Sequence, residues 1–296
     1  MGKGLPYKLF REFHIPLGAN EEFFSDASEY SPRDGQIFIV SYPKCGTTWM
    51  QHIVYLLLRN GKAANSISEV ISSIPFPEQD GFPSDVPQKD IYALKYHLPF
   101  RLMKYSEDAR YIHVARNPKD ACVSYYNFLK KLPGYHIESF DDFFDAFISG
   151  EMPYGDYVDL VYSWYEKRHL KNVLFITYES LTENRRASIL EIASFLGLQT
   201  INEEIIENVL QYSSFNFMKS LVEEDPFMQQ YLNNSTGQRK NETKNEKPQM
   251  MRKGIVGDWR NYFNRQQNQR MKEYFESKTE GMALLPLWKD EILNYE

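Results

Sequence analysis

The sequence predicts an α/β fold, a central parallel β-sheet covered by helices on both faces, and three strand-then-helix units predict it. Short runs rich in β-branched and aromatic residues at 36–41, 111–115 and 173–177 each lead through a turn into a helical stretch. Strands that alternate with helices pair in parallel, and such sheets bury both faces.

The first unit begins with the strand Gln36-Ile-Phe-Ile-Val-Ser41 and passes through Pro43 and Gly46 into an amphipathic helix over 47–59. In the second, the strand Tyr111-Ile-His-Val-Ala115 is followed by Asn117 as helix cap, Pro118 as first helical residue, and a helix through Leu129. The third pairs the strand 173–177 with a helix over 185–196, which Gly197 closes in the left-handed conformation. A chain of 296 residues with 42% hydrophobic content can bury one large core, so a single domain over 1–296 is expected. The stretch 233–249, crowded with Asn, Lys, Glu, Thr and Gln, reads as a mobile loop, equally a lid or a plain surface insertion. Sheets of this kind bind ligands beyond the C-terminal ends of their strands, so the residues after Val40, Ala115 and Ile176 should converge on one site.

Composition narrows the function. The formal net charge of -6 disfavours a nucleic-acid footprint, which needs an excess of Lys and Arg, and confines any anion site to a local cluster. Two cysteines, Cys45 and Cys122, are too few for a disulfide framework, and no signal peptide or membrane-spanning run is visible, so a cytoplasmic location is expected. Aromatic content of 15% suggests a well-furnished apolar pocket.

The chemistry concentrates after the strands. Ser41-Tyr-Pro-Lys-Cys-Gly-Thr-Thr-Trp49 places a glycine and exposed amides at a helix start, with Lys44 adding a full charge and Thr47 and Thr48 adding hydroxyls: an anion cradle. A Walker pattern is absent, because the lysine precedes the glycine. Arg116 and Ser124 flank the start of the next helix and suit a second phosphate, while Arg252-Lys253-Gly254 is a basic spot in an acidic chain. Trp49, Tyr178 and Phe215 lie where a planar base can stack.

Together these motifs resemble the cytosolic sulfotransferases that use 3'-phosphoadenylyl sulfate (PAPS), with their P-loop-like fold. Residues 42–49 resemble that family's 5'-phosphosulfate loop, Ala-Arg-Asn-Pro-Lys-Asp-Ala-Cys-Val-Ser-Tyr-Tyr at 115–126 its 3'-phosphate segment, and Arg-Lys-Gly-Ile-Val-Gly-Asp-Trp at 252–259 its C-terminal phosphate motif. Lys95-Tyr-His-Leu-Pro99 resembles the segment bearing the catalytic histidine. The resemblance implies that Lys44, Cys45, Gly46, Thr47 and Thr48 hold the phosphosulfate, and Arg116, Ser124, Arg252, Lys253 and Gly254 the 3'-phosphate. It places Trp49, Tyr178, Ser213, Ser214, Phe215, Met218, Met250 and Met251 around the adenosine. His97 becomes the base that takes a proton from a hydroxyl or amine acceptor (a phenol, catecholamine or steroid-like alcohol) as the acceptor attacks sulfur and 3',5'-ADP leaves. Lys44 and Lys95 offset charge on the leaving oxygen, no metal is required, and Lys95, Tyr96, His97, Phe76, Phe82 and Phe128 line the acceptor pocket.

The chain also departs from the family pattern. Cys45 replaces a usual serine, and a thiol at a helix N-terminus beside Lys44 is expected to be acidic and reactive. Tyr96 replaces a small residue and is expected to reshape the pocket floor. The stretch 260–269 is a degenerate version of the family's dimer motif, which leaves a homodimer open. Glu78, Asp80 and Asp85 read as a solvated Pro-rich turn, and His113 as a core or edge residue of its strand. Two other classes stay in view, a P-loop-like small-molecule kinase and a non-catalytic nucleotide-binding protein.

Overall fold

The computed structural model of the chain describes residues 4–132, 134–235, 251–280, 282 and 285–288. A short antiparallel hairpin, β1 (Tyr7–Phe10) and β2 (Phe13–Pro16), precedes a four-stranded sheet built from β3 (Ile37–Ser41), β4 (Ala93–Tyr96), β5 (Arg110–Ala115) and β6 (Val173–Thr177). The sheet order is β4-β3-β5-β6 and every pairing is parallel. Its register sets Val40 beside Tyr96 and His113, and Ala115 beside Thr177, so the C-terminal ends of all four strands open on one edge. The three predicted strands match within a residue; β4 and the hairpin were not among them. Among the described residues no helix is long and apolar enough to cross a membrane.

Strand alternation explains why both faces are covered. Ile37, Ile39, Ile112 and Val114 project into one core, filled by α2 (Thr47–Leu58) and α6 (Arg185–Phe195). Phe38, Val40, Tyr111 and Ala115 project into the other, filled by α4 (Pro118–Leu129) and the helices Tyr157–Tyr165 and Arg265–Thr279. All of β3 is buried, and each such isoleucine or valine contributes about 2 kcal/mol relative to exposure. Four further helices matter for the site: α1 (Glu21–Glu29), α3 (Pro77–Asp80), α5 (Tyr178–Glu183) and α7 (Phe215–Glu224). The helix starts follow the sequence: the Asn117 side chain accepts from the Lys119 amide with Pro118 at the first helical position, and the Ser214 side chain caps α7 by accepting from Phe217. The stretch expected as a loop from 233 is helical through Ser235; its remainder, with Met250, lies outside the described residues.

Candidate active site

The loop joining β3 to α2 is bent by two left-handed residues, Lys44 at φ 68° and Gly46 at φ 104°. For lysine this conformation costs on the order of 1 kcal/mol, and the surrounding contacts hold it. Gly46 is required twice over, because a Cβ there would lie 2.9 Å from Cδ2 of Tyr178. The turn leaves the amides of the α2 N-terminus without a side-chain cap, which suits an incoming anion. Thr47 is buried, its hydroxyl 2.5 Å from that of Ser41, whereas Thr48 is partly exposed at the helix start.

Arg116, at the end of β5, ties three distant segments together. Its Nη1 donates to the Lys44 carbonyl at 3.3 Å, its Nη2 donates to the Ile255 carbonyl at 3.0 Å, and its guanidinium lies over the Tyr178 ring at 4.2 Å. Its buried Nε has no hydrogen-bond partner among the described residues. On the far side, Gly254 at φ 66° packs so closely on Phe215 that a Cβ would stand 2.3 Å from the ring. Trp49 stands edge-on to Tyr178 at 5.3 Å and donates through Nε1 to the Ser213 carbonyl at 2.9 Å. The Ser213 hydroxyl is fully buried and likewise has no partner among the described residues. Met251 packs against the neighbouring apolar core, Met218 is buried, and Ser124 is partly exposed on α4.

His97 follows directly after β4. Its Nδ1 lies 2.7 Å from the Ser41 carbonyl, and because a carbonyl only accepts, Nδ1 carries the proton and Nε2 keeps its lone pair. The ring is held edge-on by Phe76 at 5.1 Å and Tyr154 at 5.2 Å. Burial, and next the charge of Lys95, hold the imidazole well below its ordinary range against the pull of the Ser41 hydrogen bond, so it is neutral around pH 7. The charges of both Lys44 and Lys95 bear on this group. Lys44 is brought down to about 7, chiefly by burial and then by Lys95, Arg116 and Arg252. Lys95 is brought down to about 8 by burial, against the attraction of Glu78 and Asp80. Each ammonium rests on a ring, Lys44 over Phe128 at 4.3 Å and Lys95 over Phe76 at 4.2 Å.

Four sequence expectations are corrected here. Cys45 is fully buried, and desolvation, reinforced by Glu179, raises its thiol far above the ordinary value despite Arg116 and Lys44, so it is not an acidic, reactive cysteine. Tyr96 points into the core, its hydroxyl donating to the Ala27 carbonyl of α1 at 3.2 Å, and so packs behind the pocket instead of forming its floor. Phe82 stacks on Tyr30 at 4.8 Å along a groove of about 660 Å³ that also involves Phe23 and Asp80, and no ring contact links it to His97. Glu78 is no solvated turn: it is fully buried on α3, and Oε1 accepts from the His97 amide at 2.6 Å. Burial raises its carboxyl to about 8 against the His97 amide and the charge of Lys95. Sequence reasoning missed this anchor of the His97 backbone, because a carboxylate among prolines gives no local sign of burial. His113 is a core residue, as one of its two expected placements had it.

A family model described as the Sulfotransferase domain matches residues 34–283. Sulfotransferase 1 family member D1 of Mus musculus is 35% identical over 277 residues, covering 89% of this chain and 90% of that protein. Sulfotransferase 1B1 of Mus musculus is 33% identical over 272 residues, covering 86% of each chain. Among solved structures, mouse sulfotransferase SULT7A1 complexed with PAP superposes with a TM-score of 0.76 at 26% identity, over 98% of this chain and 99% of that one. The strand-end cradle, its cations and these likenesses lead to one statement: the chain belongs to the sulfotransferase family and is a transferase of sulfur-containing groups.

Proposed function

We propose that the protein transfers the sulfuryl group of PAPS to the hydroxyl or amine of a small acceptor (a phenol, catecholamine or steroid-like alcohol), acting as a single catalytic unit in the cytoplasm. The observation that carries this reading is the meeting of three basic segments through Arg116, whose guanidinium bridges the Lys44 and Ile255 carbonyls. The residues fit the nucleotide on independent grounds. Two buried donors, Arg116 Nε and Ser213 Oγ, await partners, and two glycines keep Cβ atoms away from Tyr178 and Phe215. Arg116, Ser124, Arg252, Lys253 and Gly254 would hold the 3'-phosphate, the 44–48 loop the phosphosulfate, and Trp49, Tyr178, Ser213 and Phe215 the adenosine. When bound, PAPS supplies an activated sulfuryl group and leaves as 3',5'-ADP.

The chain's own residues do the remainder. His97 Nε2 takes the acceptor's proton as the new bond to sulfur forms and the bond from sulfur to the 5'-phosphate oxygen breaks, with the electron pair going to that oxygen. Lys44 and Lys95 offset the charge that develops there, in a half-buried setting where a cation counts for more than in water. Phe76, Tyr154 and Phe128 wall the space around His97 and Lys44, excluding water from the transferring group.

The test is thermal stabilisation of the purified protein by 3',5'-ADP against ADP and ATP-Mg, followed by labelled-donor transfer to a panel of acceptors. A shift with 3',5'-ADP that Arg116→Ala and Lys253→Ala each remove, together with transfer, is expected. A shift with ATP-Mg alone would return the case to a kinase, and binding without transfer to any acceptor would leave a non-catalytic binder.

A further inference from the structure

The segment from Arg252 to Asn261 contains an acid that the reaction as described does not use. Asp258 is 1% exposed, yet it carries two cations: Arg252 Nη1 lies 2.5 Å from Oδ2 and Lys253 Nζ lies 2.7 Å from Oδ1, where Asn261 Nδ2 also donates at 2.8 Å. The chain on either side of Asp258 is fixed as well. Asp120 on α4, itself 1% exposed, accepts from the Gly257 amide at 2.6 Å and from the Trp259 amide at 2.9 Å. Asp258 is thus a rigid anchor, while the two side chains it holds are long and only partly buried, Arg252 at 22% and Lys253 at 45% exposure.

We propose that Asp258 is a positioning residue that sets Arg252 and Lys253 for the 3'-phosphate before the nucleotide arrives, and so underlies the protein's preference for a 3'-phosphorylated nucleotide. This rests on the PAPS reading given above. Two opposing effects decide the sign. A negative charge near the site repels phosphate, but two cations against one carboxylate leave the triad net positive. Against that, each long side chain fixed in advance spares its ordering on binding, a factor of roughly two to twelve in affinity apiece. Arg252 spends one of its five donors on Asp258 and Lys253 one of its three, so most donors stay available to a phosphate. Pre-ordering outweighs repulsion here, because the carboxylate's charge is already neutralised by direct contact on both oxygens.

The experiment is the ratio of dissociation constants for 3',5'-ADP and 5'-AMP, measured by titration calorimetry on the full chain. Asp258→Asn, which keeps the shape and the Asn261 contact but removes the charge, is expected to lower that preference on the order of tenfold, with 5'-AMP affinity unchanged. Asn261→Ala, which loosens Asp258 without altering its charge, lowers the same ratio by a smaller factor and serves where Asp258→Asn does not fold. In a background of Arg252→Ala and Lys253→Ala neither substitution has a further effect, since Asp258 acts only through those two. An unchanged or increased preference in both variants overturns the proposal, as does an equal loss for both ligands, which would mark a merely structural role. A wild-type protein with no preference for 3',5'-ADP over 5'-AMP would overturn the underlying PAPS reading itself.

Discussion

Lys44 offers a quantitative test, because its proton is held loosely in the free protein. Burial, then repulsion from Lys95, Arg116 and Arg252, brings the ammonium down to about 7. A dianionic phosphosulfate or phosphate beside it restores an ordinary lysine value near 10.4, so binding must draw a proton in. The bound value lies above the free one, so this contribution to affinity is complete below the free value of about 7 and drains away as pH climbs toward the bound value. At about pH 8 roughly nine-tenths of the free protein lacks the proton, and calorimetry in two buffers of different ionisation enthalpy should record uptake of about 0.9 proton from this group. Between about pH 7 and 9 affinity for 3',5'-ADP should fall roughly 50-fold on Lys44's account, a little over 2 kcal/mol. Phosphate monoesters have lost their second proton by then, having a value near 6, so the ligand adds nothing to the slope. Lys44→Arg stays charged throughout and should lose this part of the slope, leaving only what Lys95, at about 8, contributes. Identical pH profiles for the two proteins, with no proton uptake assignable to Lys44, would refute the reasoning.

The other predictions test other parts of the site. His97→Ala should reduce sulfuryl transfer by about 10²–10⁴-fold while leaving 3',5'-ADP affinity nearly unchanged, and a loss below tenfold in a labelled-donor assay would remove His97 from the role of base. Neither Cys45 nor Cys122, both 0% exposed, should react with a thiol reagent in the folded state; rapid labelling without loss of structure would contradict the burial described. His113 is sealed between Trp164 at 5.9 Å and Phe175 at 5.2 Å, and burial brings it down to about 3. Its contribution to stability is therefore full above the ordinary value of 6.5 and lost as pH falls, amounting to about 2 kcal/mol between pH 7 and 5. His113→Phe should flatten the urea midpoint against pH over that range, and a slope unchanged from wild type would show that His113 does not titrate on unfolding.

Much of this arrangement was legible because it is written in contiguous residues. A buried strand, a glycine turn and an amphipathic helix announce themselves through local pattern, so the turn at Gly46 into α2 and the capped helix after Asn117 were predicted nearly to the residue. What escaped depends on contacts between segments far apart. Glu78 is buried only because α3 packs under the end of β4, where the His97 amide needs an acceptor. Cys45 has the neighbours of an acidic thiol in sequence, but its side chain turns inward, and desolvation outweighs the helix terminus and the nearby cations. Tyr96 follows Lys95 on a strand, and alternation alone sends it to the opposite face, a rule that could have been applied once β4 was taken as a strand.

The aromatic richness also takes on a different meaning from the one composition suggested. An acidic chain gathers Lys44, Lys95, Arg116, Arg252 and Lys253 at one strand edge, where several of them repel one another and burial penalises the charges of Lys44 and Lys95. Four of the five lie over the electron-rich face of a ring: Lys44 on Phe128, Lys95 on Phe76, Arg116 on Tyr178 and, at 5.9 Å, Arg252 on Tyr262. Arg252 and Lys253 are also met by Asp258. At partly exposed sites such a cation–ring contact contributes about 0.5–1 kcal/mol, less than a carboxylate would, and therein lies its use. A ring steadies a cation without neutralising it, so the charge stays available to a phosphate, whereas a carboxylate in each place would have cancelled the attraction. On the proposed PAPS reading, Asp258 stands under the outermost pair, where pre-ordering two flexible side chains gains more than their charge loses, and the rings serve the cations nearest the transferring group.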